Sequence, residues 1–275
     1  MCPVCLATMG LVAGAVSSAG AATAYLFNKI RREKPMNRPN IVSRNEWITA
    51  RKRFLQKEKE FDRRRDELAT QRRELPCVKI EKEYVFTGPE GRVSLRDLFD
   101  GRRQLIVYHF MFDPRWEEGC KSCSLLADTF DGGSLHLPAR EVSFVAISRA
   151  PLSKIEAFKK RMGWSFRWLS SSETDFNYDF SVSFKPEDVE RGPVDYNYSK
   201  QQFHELEAPG VSVFLRDGND VLHTYSTYAR GLDLLISTYN YLDLTPLGRN
   251  EKDLPYGMSW VRHHDRYGAG SRSNE

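Results

Sequence analysis

Two cysteines three positions apart, in Gly119-Cys120-Lys121-Ser122-Cys123-Ser124, offer the clearest chemistry in this sequence. An apolar run from Leu105 to Phe112 leads toward them across a short polar loop, and Leu125, Leu126 and Phe130 follow with helical spacing. Strand, loop, dithiol and helix are therefore expected in that order. At the first turn of a helix two such thiols can close a small disulfide ring. The unpartnered N–H groups and the macrodipole at that helix end favour a thiolate on the leading cysteine. The arrangement suits thiol–disulfide exchange. The plainer reading is a pair of small buried side chains, and metal binding comes next. A structural zinc needs about four ligands, and only Cys2 and Cys5 could enlarge the set. Neither a metal nor a cofactor is expected.

The elements that must position this pair come from a chain of 275 residues with 40% apolar content, enough for one substantial core and an appendage. The formal charge of +4 is unevenly placed: residues 28–75 hold 16 Lys and Arg against 8 Asp and Glu. Such a stretch could meet phosphate or anionic lipid, but a solvated helix face explains it as well, and no nucleic acid partner is expected. Five cysteines, Cys2, Cys5, Cys77, Cys120 and Cys123, are too few and of the wrong parity for a secreted disulfide framework.

Leu6 to Phe27 is a stretch of 22 residues without a charged side chain, long enough to cross a bilayer but rich in Ala, Gly, Ser and Thr. Gly10 and Gly14 would let it pack against a second membrane helix. Lys29, Arg31, Arg32 and Lys34 follow directly, so a span at residues 6–27 would anchor a cytoplasmic domain to the inner membrane. Alternatively Met36-Asn37-Arg38-Pro39 is a plausible chain start, leaving residues 1–35 as an anchor or an extension. Cys2 and Cys5 then read either as a second redox pair or as flanks of the span.

Residues 40–76 read as one long helix. Ser43 can cap it with Glu46 completing the capping box, and Trp47, Phe54, Phe61, Leu68 and Leu75 recur every seven residues among charged neighbours. That single stripe faces the main domain or a second copy in a homodimer. Pro76 ends the helix.

Residues 77–247 read as the main domain. Tyr84-Val85-Phe86 and Arg92-Val93-Ser94-Leu95 flank a turn and form a hairpin. Ser94 caps a short helix through Phe99, and 104–112 is a strand buried on both faces. Val142 to Ile147 is a second strand, Leu152 to Met162 an amphipathic helix, and 166–169 a short strand. Val211 to Leu215 and Val221 to Tyr225 make a hairpin about Asp217-Gly218, and 231–242 a closing helix. The alternation implies an α/β fold with a mixed central sheet and parallel crossovers. Residues 171–208 are expected to be irregular, and the polar tail 248–275 to fray.

Element order and motif residues resemble the thioredoxin-like group that contains peroxiredoxins and thiol reductases. More closely, Val42-Ser43-Arg44-Asn45-Glu46-Trp47, Tyr108-His109-Phe110-Met111-Phe112, Gly119 to Ser124 and Tyr225-Ser226-Thr227-Tyr228-Ala229-Arg230-Gly231 resemble the bacterial family known as domain of unknown function 899, over about residues 40 to 265. The resemblance implies a thioredoxin-like fold and a predicted dithiol-disulfide oxidoreductase, with Cys120 attacking and Cys123 resolving. Its substrate would be a protein or small-molecule disulfide, recycled by an unknown reductant. The alternative is a non-catalytic thioredoxin-like binding, scaffold or redox-sensor protein. Trp116 stands four residues before Cys120, where thioredoxins place a Trp directly adjacent, and Lys121-Ser122 replaces Gly-Pro. Lys121 should favour thiolate, whereas Glu117 and Glu118 would oppose it if near. Glu117 also occupies the position at which a peroxiredoxin carries Thr, which argues against peroxidase chemistry. Pro209 is the best match for the thioredoxin proline that touches the dithiol and is usually cis. His223, Tyr225, Tyr228 and Arg230 could shape a polar pocket, although aromatic residues on a strand more often pack. His109 reads as a core histidine and Cys77 as a small apolar filler.

Overall fold

A computed structural model describes residues 39–268, so the expected span at 6–27 and the Cys2/Cys5 pair lie outside the described residues. Among the described residues no helix is long and apolar enough to cross a membrane.

Helix α1, Arg44–Arg73, belongs to a compact unit of its own. Its start is the expected capping box: the Ser43 N–H and Oγ donate to Glu46 Oε2 at 2.9 and 2.6 Å, and the Glu46 N–H donates back to Ser43 Oγ at 3.3 Å. Glu60 and Arg64 pair one turn apart. None of its residues is buried.

The second unit runs from Arg73 onward and is built on an eight-stranded sheet. In chain order its strands are β1 Val78–Lys79, β2 Val85–Gly88, β3 Gly91–Ser94, β4 Gln104–His109, β5 Val142–Ser148, β6 Arg167–Ser170, β9 Gly210–Asp217 and β10 Asp220–Tyr228. Helix α2, Lys121–Gly133, joins β4 to β5, and α3, Leu152–Met162, joins β5 to β6. The spatial order is β1-β10-β9-β4-β5-β6-β2-β3, with β4, β5 and β6 parallel and β9 antiparallel to β4. The fold is mixed α/β: the central strand β4 leads toward the dithiol helix, with a parallel neighbour on one side and an antiparallel hairpin on the other.

The apolar run of β4 is continuous because both faces are covered. Leu105 and Val107 enter one core with Phe86, Phe99, Phe176 and Phe214. Tyr108 and Phe110, Phe110 lying just past the strand end, enter the other with Cys123, Leu126, Phe158 and Trp168. The alternation follows the two-residue period of a strand.

Three expectations are corrected. Residues 171–208 are structured: they hold α4 Phe176–Asp179, α5 Pro186–Arg191 and a small hairpin, β7 Val194–Tyr196 with β8 Ser199–Gln201. Phe176, Val182 and Tyr196 from this stretch are core residues, because the sheet face on that side has no long helix to cover it. The closing helix is broken at Ile236 into a 3-10 segment, Ala229–Leu235, and α6, Ser237–Asp243. The tail is not uniformly frayed: among its described residues Val261 and His263 are each only 1% exposed. It is anchored by Glu251, which accepts from Tyr239 Oη, the Met258 N–H and Trp260 Nε1.

Candidate functional site

Cys120 is the N-cap of α2, with φ −56° and ψ 132°, and is half-buried, while Cys123 one turn inside is 3% exposed. Both are free thiols. The Cys123 thiol donates to the Cys120 sulfur, and the N–H groups of Cys123 and Ser122 converge on it against the opposing effect of burial. Together they lower the Cys120 thiol to about 7 from 9.0. This is the stabilisation expected of a helix N-terminus. Burial pushes the Cys123 thiol well above its ordinary value, as does its proximity to Cys120. The pair thus divides into a half-buried thiol that ionises more readily and a buried thiol that holds its proton.

One tyrosine, Tyr108, meets the buried thiol. Tyr108 Oη donates to the Cys123 carbonyl at 3.2 Å. The same hydroxyl and the Met111 N–H also favour charge on the Cys123 sulfur. Tyr196, from the small hairpin, feels the charge of Cys123, and burial above all raises its hydroxyl pKa. Its Oη donates to the Pro209 carbonyl at 2.8 Å and accepts from the Ala229 N–H at 2.9 Å. Tyr196 therefore ties the run into β9 to the end of β10.

The loop before Cys120 is held by one face of α3, on which Lys154, Phe158 and Arg161 lie at i, i+4 and i+7. Lys154 Nζ donates to the carbonyls of Pro114 and Trp116 at 3.2 and 2.9 Å and to Glu117 at 3.0 Å. Arg161 donates to Glu118 at 2.6 Å, and Arg266 from the tail pairs with the same carboxylate. Glu117 and Glu118 thus each have a cationic partner of their own, which offsets part of their expected opposition to a Cys120 thiolate. Gly119 is required by close approach: a Cβ there would lie 2.6 Å from the Phe110 ring and 2.8 Å from that of Phe158.

Of the residues singled out in the sequence, Trp116 is half-buried against the helix-side core, beside Cys120 in the same cluster. Lys121 is exposed, and the charge on Cys120 is stabilised by backbone and thiol donors. Pro209 is reached through Tyr196, and no peptide bond in the described residues is cis. Gly210 follows because a Cβ there would meet the Tyr228 ring at 2.7 Å. Tyr228 is buried with its hydroxyl given to the Phe180 carbonyl at 3.1 Å, which makes it a packing residue. Arg230 is exposed and pairs with Asp233 at 3.2 Å. Sequence reasoning missed Tyr108, Tyr196, Lys154, Arg161 and His263. Tyr108 alone left a trace, as a polar tip in the apolar strand that precedes the cysteines.

A second polar cluster lies in the segments that follow β4 and β5 and precede β9. Asp113, 2% exposed, is clasped by Arg115 through its N–H and side chain. Glu207, 1% exposed, accepts from Ser183 Oγ at 2.7 Å and from Arg149 at 3.3 Å. Burial outweighs these bonds and raises its carboxyl to about 7. Among the described residues no group of three or more His, Cys, Asp or Glu is placed to hold a metal ion.

The profile of a family described as "Bacterial protein of unknown function (DUF899)" matches residues 36–267. No curated protein matches the chain. Among solved structures, peroxiredoxin Q of Xanthomonas campestris is 12% identical, with a TM-score of 0.38 over 57% of this chain and 90% of that one. The peroxidoxin BcpB of Mycobacterium tuberculosis is 13% identical, with a TM-score of 0.39 over 61% of this chain and 97% of that one. Thioredoxin peroxidase I of Plasmodium yoelii is 15% identical, with a TM-score of 0.37 over 62% of this chain and 88% of that one.

Proposed function

The chain belongs to the bacterial family DUF899, and from that premise we propose that its Cys120/Cys123 pair carries out thiol–disulfide exchange on a protein or small-molecule disulfide. The observation that carries this reading is the division of the pair into a half-buried thiol lowered to about 7 and a buried thiol raised above its ordinary value. It stands on geometry, Cys120 capping the helix half-buried and Cys123 buried one turn inside, and it is the asymmetry that exchange chemistry uses.

In the first step the Cys120 thiolate attacks one sulfur of the substrate disulfide. A new S–S bond forms, the substrate S–S bond breaks and one substrate thiolate leaves. In the second step the Cys123 sulfur attacks Cys120 Sγ and expels the other substrate thiolate, which takes up the Cys123 proton. Tyr108 Oη and the Met111 N–H stabilise charge on Cys123 during that attack. The substrate gains two electrons, the chain is left with a Cys120–Cys123 disulfide, and an external dithiol restores it.

Cys123→Ser leaves the first step intact and removes the second. With a small aromatic disulfide or insulin it should accumulate a covalent adduct on Cys120, whereas Cys120→Ser should give neither turnover nor adduct. Alkylation of Cys120 followed by mass spectrometry against pH should show a midpoint near 7. A midpoint at the free-thiol value of about 8.5, with no adduct in the Cys123 variant, would replace this reading by that of a binding, scaffold or redox-sensor protein.

A further inference from the structure

The peptide that joins Gly119 to Cys120 is held from both sides. Its N–H donates to the Met111 carbonyl at 3.1 Å, and its carbonyl accepts from Nε2 of His263 at 2.9 Å. His263 reaches the dithiol loop from 144 positions further along the chain. A carbonyl only accepts, so Nε2 carries the ring proton. Arg161 only donates, so at 3.3 Å Nδ1 presents its lone pair to that guanidinium. Both partners select the same neutral tautomer. The ring lies edge-on to Phe158 at 5.2 Å between centroids. The charged groups around it are Arg161, Glu118 at 3.6 Å from Nδ1, Asp265 paired with Arg161, and Arg266 paired with Glu118.

Gly119 makes this contact consequential. With no Cβ it places little steric limit on its own ψ, and a crankshaft rotation of the following peptide changes that ψ and φ at Cys120 together. The N–H groups of Ser122 and Cys123 converge on the Cys120 sulfur in the observed N-cap conformation, φ −56° and ψ 132°. Steric freedom at Gly119 therefore has to be taken up by hydrogen bonds from outside the loop, and His263 supplies the bond to the carbonyl.

We propose that His263 is a positioning residue of the dithiol site: through the Gly119–Cys120 peptide it fixes the backbone that presents Cys120 to the helix N–H groups, which makes the tail segment around it a working part of that site. The proposal rests on the exchange reading given above. A supporting group of this kind acts by restricting a reactive atom to its productive geometry.

The test compares full-length wild type with His263→Gln, His263→Asn and His263→Leu. The readouts are the pH midpoint of Cys120 alkylation, resolved by mass spectrometry, and the rate of adduct formation in a Cys123→Ser background. Glutamine can donate to Gly119 and accept from Arg161, so it should stay within about twofold of wild type. Asparagine is one methylene too short and leucine has no donor. Both should lift the midpoint by about one unit, which slows alkylation at pH 6 by about tenfold. A histidine that only packed would lower the melting temperature of the variants and leave the midpoint alone. If leucine prevents folding, the glutamine and asparagine pair decides. Wild-type midpoints in the asparagine and leucine variants, with trapping intact in Cys123→Ser carrying His263, would overturn the proposal and leave the exchange reading standing. Absence of a lowered midpoint in wild type and of trapping in Cys123→Ser carrying His263 would remove both.

Discussion

Acid should destabilise this domain through a buried histidine on the sheet face remote from the dithiol helix. His109, 1% exposed, is stacked on Phe176 and Phe180 at 5.5 and 5.7 Å between centroids. Its Nε2 bonds Ser212 Oγ at 2.8 Å, Ser212 bonds Ser226 Oγ at 2.8 Å, and Ser226 bonds His223 Nε2 at 2.7 Å. A bulge between His223 and Tyr225 brings His223 and Ser226 to one face of β10. His109 Nδ1 has no partner among the described residues. An unpaired buried donor is costly, so the ring proton sits on Nε2 and the chain of bonds runs from His109 toward His223. Burial first, and the neighbouring His223 second, lower the His109 pKa to about 3 from 6.5. Between those values the unfolded chain binds a proton that the folded chain refuses. Stability is therefore full above pH 6.5 and falls as the pH drops, by about 1.4 kcal/mol per pH unit. By pH 4.5 the loss from this group is of order 2.7 kcal/mol. His109→Gln keeps a donor for Ser212 but cannot titrate. It should begin less stable than wild type, having lost the ring contacts, and the gap should narrow on acidification by about that amount. Urea unfolding of both proteins from pH 7.5 to 4.5 measures the gap, and carboxylate titrations common to both cancel. A gap that stays constant across the range would refute the assignment of a neutral, acid-resistant His109.

Tyr108→Phe removes the hydroxyl that meets the Cys123 carbonyl and sulfur. It should cost about 0.5–1.5 kcal/mol of stability and prolong the lifetime of the mixed disulfide in stopped-flow turnover without changing Cys120 alkylation. Gly119→Ala drives a methyl group into the Phe110 and Phe158 rings. The overpacking should cost about 1–3 kcal/mol in chemical denaturation and move the Cys120 alkylation midpoint upward as the loop shifts.

Local physics made much of this protein legible in its sequence. The capping box at Ser43 and Glu46, the hairpins about Gly88 to Gly91 and Asp217 to Asp220, the buried strand at Leu105 and the dithiol at the start of a helix are each settled by residues within a few positions of one another. The difference in position between Cys120 and Cys123 follows from helix geometry, since one thiol caps the helix and the other lies a turn inside it. The surroundings of that pair had to wait for the tertiary fold. Lys154 and Arg161 look like ordinary charges on a surface helix until packing turns that face toward the loop and gives each several acceptors. Tyr196 lies in a stretch whose Asp, Asn and Ser content reads as irregular, yet a sheet face without a long helix draws its aromatic residues into the core. His263 stands in a tail that composition marks as polar, and it is buried because both of its ring nitrogens find partners in the fold. Spacing can place a reactive atom on an element; which distant side chains restrain it depends on contacts between segments 37 to 148 positions apart, and one sequence carries no periodic signal for those.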